Sequence, residues 1–214
     1  MLNGIFDMDK PFWRWIGKLP EMIGLSFCWY ICCLPLITFI PASCALYDAV
    51  SRCLITDEKG CFKRFFRTFV QELKKGIPLS LLWIFILAFS VLGLNILQQN
   101  AQTNPVLANL HPFYLAMIVM TIGYLSWLIP LQSRFHNNFW TLHINALRFA
   151  IGRLWGSLAM LLITVGVVIL CFLHTMTIPL LVIAPCLIAT LHAIPVERSF
   201  RVVFPQYYED EAEQ

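Results

Sequence analysis

Residues 76–133 read GIPLSLLWIFILAFSVLGLNILQQNAQTNPVLANLHPFYLAMIVMTIGYLSWLIPLQS, 58 positions without an Asp, Glu, Lys or Arg. A helix crosses the hydrocarbon layer of about 30 Å with about 20 mostly apolar residues, each rising about 1.5 Å. The run therefore holds two spans. Between them Gln98 to Pro112 is rich in amides and carries Pro105 and Pro112, the composition of a solvated turn, which places the spans near 77–97 and 113–132.

Two more charge-free runs flank this one. Residues 154–196 number 43, with His174-Thr-Met-Thr-Ile-Pro179 the only polar interruption, so two spans near 154–174 and 178–195 are expected around a tight hairpin. Residues 22–47 number 26 and give one span near 21–43, in which Pro35 and Pro41 each remove a backbone donor. Glu21 ahead of this run, its length and the spans that follow set it apart from a signal peptide. Pro41 stands where the lipobox-like Pro41-Ala-Ser-Cys44 would need an aliphatic residue. The whole chain has 214 residues, 59% hydrophobic and 13% charged, against about 25% charged in soluble domains, and its 17 Phe and 7 Trp exclude disorder. The expected fold is all-α: a polytopic transmembrane bundle of about five spans, one membrane domain over 1–214 ending in an acidic tail at 199–214.

Five spans put residues 45–76, 131–153 and 196–214 on one side with twelve Lys and Arg, against three on the other, all in the N-terminal segment. The positive-inside rule makes the richer side cytoplasmic. If 22–47 instead dips in and returns, broken at its two prolines, all fifteen basic residues share one side.

Outside the spans, Phe62-Lys-Arg-Phe-Phe-Arg-Thr-Phe-Val-Gln-Glu-Leu-Lys-Lys75 sets apolar residues at 62, 65, 66, 69, 70 and 73, an amphipathic helix over 62–75. Lys63, Arg64, Phe66, Arg67, Lys74 and Lys75 are its candidate contacts, with anionic headgroups of the lipid bilayer or with a partner protein. A second amphipathic, interfacial helix is expected over 139–153. Laying Phe69 on Phe149 brings Gly76 onto Gly156, which suggests two parallel units of interfacial helix plus span. Gly152 and Gly156 form a GxxxG that would allow close helix packing.

Little else points to chemistry. Five of the eight cysteines, Cys28, Cys32, Cys33, Cys171 and Cys186, fall inside spans as small hydrophobes, there is no CxxC, and His136 and His143 lack an accompanying acid, so no metal and no cofactor is expected. The predicted spans have no ionisable residue at mid-depth, which disfavours ion coupling. The chain has no Walker A sequence, no nucleophile with a base and no carboxylate pair, so it is expected neither to hydrolyse ATP nor to be an enzyme.

Three segments together resemble a known family: Asn3-Gly-Ile-Phe with Asp9-Lys-Pro-Phe-Trp-Arg14, the stretch Leu34-Pro-Leu-Ile-Thr-Phe-Ile-Pro-Ala-Ser-Cys-Ala-Leu-Tyr47, and Phe65-Phe-Arg-Thr-Phe69. They are similar to the YesL-like family of small bacterial integral membrane proteins, a domain of unknown function. Pro35, Thr38, Pro41, Ala45, Leu46 and Tyr47 match its signature, read structurally as a kinked first span, whereas Ile40 replaces the family's usual Gly. The resemblance implies an accessory role beside carbohydrate ABC importers, with importer subunits or a sensor kinase as partners, and no catalytic residues. The alternative expectation is a solute-binding component or small carrier for a sugar or other small solute.

Overall fold

The computed structural model describes residues 17–56, 58–100, 110–135, 138–173 and 177–203. Among them run seven α-helices: α1 (Leu19–Cys33), α2 (Phe39–Ala49), α3 (Cys61–Asn100), α4 (His111–Arg134), α5 (Phe139–Gly152), α6 (Leu154–Leu173) and α7 (Thr177–Val203). Four of these, α3, α4, α6 and α7, are long and apolar enough to cross a membrane. The chain is an all-helical membrane protein.

The first hydrophobic run departs from the expected single span. Proline cannot donate a helix hydrogen bond, and at Pro35 the backbone turns extended (φ −80°, ψ 103°), ending α1 at 15 residues. A 3-10 turn at Leu36–Thr38 follows, and α2 then runs back into a π-helical turn at Val50–Ile55. The legs form a hairpin: Trp29 Nε1 donates to Ser43 Oγ at 3.2 Å, and at the open end Lys18 Nζ donates to the Leu54 carbonyl. Residues 18 and 54 thus lie together at the open end, and the segment folds back on itself instead of continuing as one helix. Ile40, in the first turn of α2, is fully buried and its N–H donates to Ser80 Oγ at 3.0 Å, so the start of the second leg packs on α3, whereas Leu34 and Leu36 at the tip stay exposed.

The amphipathic stretch 62–75 was expected to be a helix of its own. It is instead the first part of the 40-residue α3, which passes Gly76 and Pro78 without a break. The reason is a continuous packing stripe: Cys61, Phe65, Thr68, Glu72, Gly76 and Leu79 are all buried, recurring every three or four residues across the boundary. That stripe is rotated from the purely apolar template, because Thr68 and Glu72 face inward with partners while Phe66 and Val70 stay 49% and 64% exposed. At its far end α3 runs on to Asn100, beyond the predicted limit of 97.

The later spans follow the expected pattern, with α5 as the second amphipathic helix. Trp127, fully buried on α4, stacks on Phe149 of α5 at 5.2 Å and donates to Ser157 Oγ of α6 at 2.8 Å. The chain breaks between α5 and α6 at Arg153 (φ −127°, ψ 59°), so the two proposed helix-plus-span units differ: the first is one helix, the second two. The acidic tail over 199–214 starts as the last turn of α7, and its remainder, like the hairpin at 174–176, lies outside the described residues.

A charged cavity at one end of the bundle

The functional candidate is built from three distant segments that meet at the end where the hairpin opens. Asp48, near the C-terminus of α2, is buried at 6% exposure and needs partners. One is Arg52, a turn later, at 3.6 Å. Gly60 then reverses the chain with φ +95°, a backbone that favours glycine, and starts α3. From α3, Arg64 Nε donates to Asp48 Oδ2 at 2.9 Å and Arg64 Nη1 to Glu58 Oε2 at 2.8 Å, while Thr68 Oγ1, a turn further, donates to Asp48 Oδ2 at 2.8 Å. Another turn on, buried Glu72 accepts from Gln132 Nε2 of α4 at 2.9 Å. Two positions later Arg134 Nη2 donates to Glu197 Oε1 of α7 at 2.7 Å, and the Tyr47 hydroxyl donates to the same oxygen at 3.2 Å.

These side chains wall a polar cavity of about 520 Å³, lined by Asp48, Arg52, Lys59, Lys63, Arg64, Arg67, Thr68, Glu72, Ser133 and Arg134 among others. The sequence reading singled out none of Asp48, Glu72 and Arg134 and missed the site. The available signals were the Asp48, Arg52 spacing of one helical turn and the spacing of Arg64, Thr68 and Glu72 on one face of α3.

The predicted contact residues divide. Lys63 and Arg67 border the cavity. Arg64 is held by Asp48 and Glu58, so it is an internal anchor and not the free contact expected of it. Phe66, Lys74 and Lys75 are exposed on α3 outside the cavity. The signature residues form the hairpin: Pro35 opens the turn, the Thr38 hydroxyl lies against the Cys32 and Pro35 carbonyls, and Pro41 packs on Gly76. Ala45, Leu46 and Tyr47 are buried between α2 and its neighbours. The GxxxG pair does not act as a unit. Gly152 and Gly156 fall on either side of the helix break; a Cβ on Gly152 would meet nothing within 4 Å, whereas one on Gly156 would approach the Trp127 ring at 3.1 Å.

A second, larger hollow of about 980 Å³ lies among α3, α4, α5 and α6, with Trp83, Tyr124, Trp140, His143, Leu154 and Trp155 in its wall. Both ring nitrogens of His143 are buried without a hydrogen-bond partner among the described residues, and burial pushes this histidine below its ordinary value. Among the described residues no three His, Cys, Asp or Glu side chains converge as a metal site.

Residues 22–96 match the family described as protein of unknown function, DUF624, which is the YesL-like family. The match covers the hairpin and most of α3, hence most of the cavity wall, and stops before Ser133 and Arg134. No curated protein and no solved structure matches the chain.

Proposed function

We propose that this chain, which belongs to the DUF624 family over residues 22–96, is a non-enzymatic accessory protein of a bacterial cell membrane. It docks on a carbohydrate ABC importer, or on the sensor kinase that controls one, through the first part of α3. The observation that carries this reading is the unbroken 40-residue helix. At about 1.5 Å per residue, the stretch before Gly76 extends the span by about 20 Å as a rigid continuation. Its outward side mixes Lys63, Phe66, Arg67, Val70 and Lys74, all exposed. An exposed face mixing aromatic and cationic residues is better suited to a protein surface than to solvent alone.

Charge supports a cytoplasmic position for this end. Lys18 joins the basic segments through its bond to Leu54, which sharpens the asymmetry on which the positive-inside rule depends. The span interiors favour docking over carriage of a polar solute. The hydroxyls of Ser90, Thr121, Ser126 and Thr164 are spent on the carbonyls of Ile86, Met117, Ile122 and Met160, one turn earlier.

Mild-detergent capture of the tagged full chain from native membranes tests the reading. Importer or kinase subunits are expected with the wild type and are lost with Phe66→Asp and Val70→Asp. Recovery of the chain alone, or undiminished recovery with both variants, overturns it.

A further inference from the structure

The cavity walls carry more positive charge than their own carboxylates neutralise, and we propose that this cavity binds a phosphate monoester dianion. Six cationic side chains line it: Arg52, Lys59, Lys63, Arg64, Arg67 and Arg134. Among the described residues, the carboxylates of Asp48, Glu58, Glu72 and Glu197 face or pair with them. Lys59, Lys63 and Arg67 stand outside these pairs, a positive surplus suited to an anion with close to two negative charges.

The surplus is positioned for a ligand. Arg52 and Arg64 are oriented by Asp48, and Arg134 by Glu197, which fixes the rear wall. Lys59, Lys63 and Arg67 are exposed in the cavity wall and make no ion pair with the described residues. A phosphate monoester offers three strong acceptor oxygens and close to two negative charges, and guanidinium and ammonium groups bind it by charge-assisted hydrogen bonds. A carboxylate or a phosphodiester brings only one negative charge to the same group of cations. The volume of about 520 Å³ accommodates a small organic group beyond the phosphate.

The depth of the site leaves two sources for the same chemistry. Arg67 lies nine residues before Gly76, about 13 Å along the helix from the apolar run. A dissolved phosphomonoester reaches that level freely, and the headgroup of a phosphatidic acid, in an interfacial layer about 5–7 Å deep, reaches it where α3 is inclined to the bilayer. The cavity shares Lys63 and Arg67 with the docking face, but Phe66 and Val70 do not line it, so substitutions at 66 and 70 separate the two readings.

Titration of the purified full chain in uncharged detergent with glycerol 3-phosphate, alongside reconstitution in nanodiscs containing phosphatidic acid or phosphatidylglycerol, tests the proposal. Saturable binding of glycerol 3-phosphate, of phosphatidic acid, or of both is expected, and which of them binds identifies the source. Arg67→Gln and Lys63→Gln should each weaken it about tenfold. Both side chains are exposed, so these variants keep the wild-type melting temperature, and Phe66→Asp keeps wild-type affinity. Absence of binding in every arm, equal affinity for phosphatidylglycerol, or an Arg67→Gln, Lys63→Gln double variant that binds like wild type overturns the proposal.

Discussion

Pro41 rests on Gly76 so closely that a Cβ on Gly76 would stand 2.5 Å from Pro41 Cγ and 3.1 Å from its backbone nitrogen. The contact presses the start of α2 against α3 where the basic stretch of α3 becomes apolar. Neither a proline ring nor a helix backbone can yield as a flexible side chain would. Gly76→Ala is therefore expected to destabilise the protein by about 1–3 kcal/mol, the range for overpacking a filled contact. Gly152→Ala, where an added Cβ meets nothing, should change the melting temperature little. Thermal unfolding of the two variants in one detergent compares them directly; equal melting temperatures would show that the Pro41 contact is not tight.

The pair Arg134 and Glu197 joins α4 to α7 with side chains only 6% and 17% exposed. Two charges removed from water are stable together, whereas one left alone retains its desolvation cost. Glu197→Leu should cost about 3–5 kcal/mol, and adding Arg134→Met should recover much of that loss. Chemical denaturation of the two single variants and the double one provides the cycle. Additive losses would mean that the ion pair is not what couples these helices.

The long helices could be read directly from the chain because lipid imposes a simple rule on sequence: charge is excluded over a fixed length. The hairpin was only half legible. Pro35 and Pro41 announce a break, but whether the second leg crosses or returns depends on contacts such as Trp29 with Ser43 and Lys18 with Leu54, which local composition does not encode. The rotation of α3 was illegible for a related reason. An apolar template has no means of expecting Thr68 and Glu72 inside, since they are buried only because Asp48 and Gln132 arrive to satisfy them. The cavity was missed on the same account: Arg64 meets Asp48 across 16 positions, but Glu72 meets Gln132 across 60 and Arg134 meets Glu197 across 63.

The hairpin makes a topological prediction. With Lys18 beside Leu54, single cysteines at Lys18 and at Glu58, in a background free of other cysteines, should react with a membrane-impermeant maleimide from the same face of sealed vesicles. A crossing first span would place them on opposite faces. Labelling of position 18 from one side and position 58 from the other would reject the hairpin.

His143 should make stability depend on pH. Burial holds its pKa below the ordinary histidine value of about 6.5, so in the folded protein the ring stays neutral where the unfolded chain takes up a proton. The unfolded state then binds more protons as pH falls below that value. The stability associated with the neutral ring is accordingly present above it and lost on acidification. His143→Phe keeps an aromatic beside Phe139, whose ring lies 4.4 Å away, and removes the titration. Between pH 7 and pH 5 the wild-type melting temperature is expected to fall more steeply than that of the variant. Parallel curves for the two proteins would show that His143 takes up its proton equally in both states, which its buried nitrogens, without a hydrogen-bond partner among the described residues, argue against.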